Sequence, residues 1–285
     1  MTNNPQRPTI SLLTIFPDFV QQALQQSMLG RAHKQGIVNL ESVDLRQFAT
    51  DKHRSVDDSV FGGKQGMLFM PEVLEAALEH ELKAVDGRRH DLRVLYPSPR
   101  GLNIDQGIMD AMAHWIGSSG VSDEESGPRR ITVICGRYEG IDERIIDRWV
   151  DFEYSVGDFV LTGGELPAMI LVDGVTRLLP GVLGKEESHR EDSFKNGLLE
   201  HAQYTKPREF KGQKVPEVLL SGVHKNINEW KLRESILLTF AFRPDLIQAH
   251  RGQGMPGWAQ ELILRLKHRL ETRALEGSDS QGNDC

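Results

Sequence analysis

Cysteine is nearly absent. Two in 285 residues, Cys135 within an apolar run and Cys285 at the last position, leave no framework for disulfides or a structural zinc. No hydrophobic run approaches the roughly twenty residues of a membrane span, and the polar start MTNNPQRPT carries no secretory apolar core. A soluble, cytoplasmic protein without membrane contact is expected. Two nucleotide signatures are also missing: no GxGxxG follows the first predicted strand, and no Gly-rich loop ends in GK[ST]. Their absence argues against a nucleotide-binding oxidoreductase and against a phosphate cradle. Positive charge is short as well. The net charge of −7 at first argues against a nucleic-acid partner.

The distribution of charge qualifies that exclusion. From His201 onward there are 13 Lys and Arg against 10 Asp and Glu, leaving 21 against 31 before it. The basic side chains of 201–233 are Lys206, Arg208, Lys211, Lys214, Lys225, Lys231 and Arg233. Such a segment could meet a phosphate backbone, although ordinary fluctuation along a solvated surface accounts for it equally well.

The chain is long enough for two domains. Short apolar runs at Ile10–Phe16 and Ile131–Cys135 predict buried strands, the alternating Ile37–Leu45 and the run Leu92–Tyr96 predict two more, and they alternate with amphipathic segments at 71–84, 104–116 and 141–150. That order predicts an α/β fold with a mostly parallel sheet. Pro97-Ser-Pro-Arg-Gly101 halts the third run. Residues 51–68 read as a long shaped loop, and the polar stretch 118–128 as a mobile insertion without function.

The centre of the chain is Ser155–Gly184. Gly157, Gly163 and Gly164 let the backbone approach a partner closely, and Leu166–Leu179 follows as a buried helix stopped by Pro180 and Gly181. The loop contains Asp158 and Glu165 but no lysine, which suits a neutral or cationic ligand held by backbone groups. A strand, a tight turn and a packed helix of any α/β domain would give the same pattern. Together with the exits at Tyr96 and Cys135, three loops could build one pocket.

CGRYEGIDER at 135–144, SVGDFVLTGGELPAM at 155–169, RLLPGVLG at 177–184, EDSF at 191–194 and PEVLLSGVH at 216–224 together resemble the bacterial tRNA (guanine-N1-)-methyltransferase family. The likeness runs from about Ile10 to about Leu246. It implies a SPOUT-type α/β domain with a deep trefoil knot over residues 1–184, a linker at 185–199, a small helical tRNA-binding domain at 200–275 and a disordered tail at 276–285. Topology rules alone would argue against a knot. The resemblance further implies S-adenosylmethionine as methyl donor, guanosine 37 of tRNA as acceptor, and a homodimer whose active site lies at the subunit interface.

Carried over residue by residue, Tyr96, Pro97, Ser98 and Pro99 resemble the first cofactor loop and Gly136 with Glu139 the second. Val156, Gly157, Phe159, Leu161, Gly163 and Gly164 resemble the third. Arg177 and Asp192 match the catalytic pair. Lys206, Arg208, Lys214, His224 and Lys225 are candidates for phosphate contacts. Family members are associated with magnesium, which Glu139 could approach, but no ligand cluster in the sequence marks a site.

The chemistry calls for such a pair. Guanine N1 carries a proton at neutral pH, so a base must remove it as the methyl group arrives, and a guanidinium aimed at O6 would steady the charge that develops. Without the resemblance, Arg177 reads as a surface residue and Asp192 as a helix cap. The sequence departs from the family at Phe61, where tyrosine is common, at Gly62-Gly-Lys-Gln-Gly-Met67 in place of GGGPGM, and at Arg100 in place of glutamine. Two other readings stand beside the enzyme: a non-catalytic RNA-binding protein on the same fold, and a ribose 2′-hydroxyl methyltransferase.

Overall fold

The computed structural model describes residues 7–63, 65–117, 129–183, 193–194 and 196–279, with backbone alone for 273–279. The insertion 118–128, Asp192 and most of the segment expected to be a linker lie outside the described residues. The chain divides into two compact units, Met1–Gly184 and Lys185–Cys285.

The first unit is built on five parallel strands: β1 (Thr9–Thr14), β2 (Asn39–Asp44), β5 (Leu92–Asn103), β6 (Arg130–Ile134) and β7 (Phe152–Ser155), in the order β2-β1-β6-β5-β7. Side chains alternate across the sheet, as strand geometry requires. Ile10, Leu12, Ile131 and Val133 face one core with α1 (Pro17–Leu24), α2 (Ser27–Gln35), α4 (Gln106–Gly117) and α6 (Glu165–Thr176). Leu13, Val94 and Ile134 face a second core with α3 (Pro71–Lys83) and α5 (Glu143–Trp149). Both faces are covered, so the central strands β1 and β6 are buried along their whole length.

Three expectations change here. The β5 strand does not stop at Pro97; it resumes at Leu102 after a bulge, because Tyr154 of β7 lies opposite both Pro97 and Leu102. Gly101 permits that approach, since a Cβ there would stand 2.4 Å from the Tyr154 backbone nitrogen. Residues 51–68 are not all loop, because β3 (Asp57–Ser59) and β4 (Met67–Phe69) pair antiparallel. The α6 helix ends at Thr176, three residues short of Leu179, in tighter turns from Leu178 N–H to Val175 O and from Leu179 N–H to Thr176 O, both 3.1 Å.

In the second unit Leu198, Ile236, Ile247, Ala259, Ile263 and Leu266 form a separate core among α8 (His224–Phe242), α9 (Pro244–Ala249) and α10 (Gly257–Asp279), with the short α7 (Glu217–Leu220) ahead of them. A hairpin comes first, β8 (Glu209–Phe210) against β9 (Gln213–Lys214), turned by Lys211 and Gly212 at φ of 50° and 82°. Two successive positive φ values suit the twist of a two-residue hairpin. The last helix also runs four residues into the segment expected to be a disordered tail.

Candidate active site

Three strand exits meet at the carboxyl end of the sheet. At the first, β5 delivers Tyr96 into a nearly closed environment, 8% exposed. Its ring lies between two glycines: a Cβ on Gly136 would come within 2.9 Å of Cε2, and one on Gly140 within 3.0 Å of the hydroxyl. Burial, with Glu153 adding to it, pushes the Tyr96 phenol up to about 12. Arg100, the unusual residue after this loop, is committed to carboxylates. Its Nε meets both oxygens of Glu153 at 3.0 and 2.9 Å, and Nη2 meets Glu143 at 2.8 Å.

The second exit is the turn Gly136–Gly140, closed by Gly140 N–H to Arg137 O at 2.9 Å, with Tyr138 at φ of 59°. A left-handed tyrosine is strained, and its ring meets Phe69 edge-on at 5.9 Å. The β3–β4 hairpin packs on this turn through Glu139 N–H to Met67 O, 3.0 Å.

The third exit, after β7, begins with Ser155, whose hydroxyl bonds both the N–H and the C=O of Gly157. It returns to the second exit at Gly163 and Gly164. Arg137 and Gly163 form an antiparallel bridge, and Gly164 N–H donates to Gly136 O at 2.8 Å. A Cβ on Gly164 would stand 2.9 Å from Cys135 Cα, so only glycine fits there. Cys135 itself is buried, and that burial holds its thiol well above the usual range.

These loops border an open cavity of about 220 Å³. Tyr96, Pro97, Ser98, Pro99, Gly136, Glu139, Val156, Gly157, Phe159, Leu161, Gly163 and Gly164 all line it. So do Arg137, Tyr138 and Thr162, which the sequence reading passed over although they lie inside the same motifs. Arg137 and Glu139 are the two charged residues of the wall. The lone carboxylate of Glu139 makes no metal site by itself, and among the described residues no group of three or more His, Cys, Asp or Glu could hold a metal ion.

Arg177 is not brought to this cavity. It caps the carboxyl end of α6, half-buried, whereas the cavity lies at the helix's amino end. Twelve residues at 1.5 Å each separate the two ends by about 18 Å. Lys206, Arg208, Lys214, His224 and Lys225 are exposed in the second unit. Lys225 stands in the first turn of α8, where the helix dipole disfavours a cation. A residue placed at such a cost suits an anionic partner.

A parallel α/β sheet with a near-neutral, glycine-built cavity over its strand ends has the architecture of an enzyme that binds a nucleotide-like cofactor. Residues 9–249 match the family described as tRNA (Guanine-1)-methyltransferase TrmD, and the chain belongs to that family. Proteins named tRNA (guanine-N(1)-)-methyltransferase are similar to it over nearly their whole length. That of Desulforudis audaxviator is 44% identical over 266 residues, covering 93% of this chain and 99% of its own. That of Treponema denticola is 44% identical over 256 residues, covering 90% and 96%. That of Magnetococcus marinus is 46% identical over 241 residues, covering 83% and 88%.

Proposed function

We propose that the cavity at the three strand exits holds S-adenosylmethionine and that this chain methylates N1 of guanosine 37 in tRNA. The class of activity, methyl transfer to guanine N1 of tRNA, follows from membership of the family. The observation that carries the donor assignment is the convergence of all three motif loops on one near-neutral wall.

The residues present fit such a donor. Glycines bring backbone donors and acceptors up to the cavity, the rings of Tyr138 and Phe159 offer flat surfaces, and no lysine lines it. A sulfonium is cationic and needs no basic partner. When bound, the donor supplies an electrophilic methyl group. Asp192 would take the N1 proton as N1 accepts the methyl group. Arg177 steadies the negative charge that grows on O6.

Arg177 lies a helix length from the donor wall of its own chain, which supports a homodimeric site assembled from the donor loops of one subunit and the linker and second unit of the other. Lys206, Arg208, Lys214, His224 and Lys225 would hold phosphates while the target guanine is splayed from its stack. This reading carries with it the family's trefoil knot in the first unit, a helical tRNA-binding second unit and a cytoplasmic location. No helix among the described residues is long and apolar enough to cross a membrane.

The test is transfer of labelled methyl to unmodified tRNA transcripts. Label at N1 of guanosine 37 is expected, absent with Asp192→Ala and with adenosine at that position. Donor and tRNA binding without transfer would favour a non-catalytic RNA-binding protein, and label on a ribose would overturn the acceptor assignment.

A further inference from the structure

Arg137 and Glu165 come from two different strand exits, 28 residues apart, yet Nε of Arg137 donates to Oε2 of Glu165 at 2.9 Å. Glu165 is 1% exposed, and a buried carboxylate is costly unless its charge and lone pairs are met. Its other oxygen accepts from Thr14 Oγ1 at 2.8 Å, and that hydroxyl accepts in turn from Phe16 N–H at 2.9 Å. The guanidinium of Arg137 reaches further, with Nη1 3.3 Å from Thr162 O and Cζ 4.5 Å above the Phe16 ring. Gly163 makes room for this reach, because a Cβ there would stand 2.2 Å from Nε.

If the pair served only to keep Glu165 buried, an apolar pair of similar volume would do as well or better. Two features point beyond that. The planar fork fixes the orientation of the Thr162 carbonyl and lays the guanidinium across Gly163, both in the cavity wall. Glu165 also cancels the guanidinium charge, which would otherwise repel a sulfonium next to it.

We propose that the Arg137–Glu165 pair is a positioning clamp for the methyl donor, holding the Thr162–Gly164 wall against the Gly136–Gly140 wall and offsetting the guanidinium charge beside it. The clamp rests on the assignment of the cavity to the donor. Its test is calorimetric binding of S-adenosylmethionine to the full chain, read beside melting temperature and tRNA affinity. Arg137→Met alone leaves a buried charge unpaired and is expected to lower the melting temperature. The double variant Arg137→Met with Glu165→Gln removes both charges. It is expected to recover the melting temperature and tRNA affinity while donor affinity stays down about tenfold, the equivalent of one lost hydrogen bond to a charged group. Arg137→Lys keeps the charge without the fork and is expected to melt as the wild type does, with the same donor defect. Wild-type donor affinity in the double variant would overturn the clamp alone. Failure of the wild-type protein to bind the donor would overturn the cavity's assignment and the clamp with it.

Discussion

Tyr96 joins the chemistry of one side chain to the stability of the whole first unit. Its phenol titrates at about 12 in the folded protein and near 10 when unfolded. Between those values the unfolded chain gives up the proton while the folded chain keeps it, so folding stability is intact below about 10 and is lost as pH rises through the window. A Tyr96→Phe variant has no proton to lose there. Its urea midpoint should therefore fall less steeply than wild type between about pH 9 and 11.5. The position of Tyr96 at a strand exit was legible from the apolar run before Pro97. Its confinement was not, because Gly136 and Gly140 lie about forty residues further along the chain and close on the ring only in the folded sheet.

At the scale of elements, amphipathic spacing located α3 and α4 to within two residues at each end, since one buried stripe on a helix leaves a periodic trace. The bulged β5 escaped that logic. Two prolines read as a stop, but Pro97 still pairs with Tyr154 of β7, beyond the last pairing of β5 with β6 at Leu95. A contact between elements was equally hidden. Glu81 of α3, fully buried, holds Arg130 of β6 through both oxygens, at 2.5 and 3.1 Å, and accepts from Thr132 at 2.7 Å, while Arg130 also meets Glu41 of β2. Glu81→Ala leaves that guanidinium short of its main partner and is expected to cost about 3 to 5 kcal/mol in denaturant unfolding, with no direct effect on the cavity at the other end of the strands. The periodicity of α3 places Glu81 among outward-facing glutamates; its ion pairs in the fold turn it inward.

For the whole molecule, the distance along α6 between the cavity and Arg177 makes the proposed dimeric site the central question. Mixing Asp192→Ala subunits with Leu161→Asp subunits, each inactive alone, should restore roughly a quarter of wild-type transfer if sites are shared, because half the dimers are mixed and each mixed dimer rebuilds one of its two sites. No recovery on mixing would place each site within a single chain. Residue type and local order were enough to disclose the α/β class, the glycines of the three loops and the family. Tertiary structure alone decided that three loops separated by dozens of residues make one neutral wall, that Glu165 turns inward to Arg137 and Thr14, and that Arg177 stands away from the cavity. Those outcomes depend on which strands become neighbours and on the desolvation of particular charges, and neither is set by any residue together with its nearest neighbours in the chain.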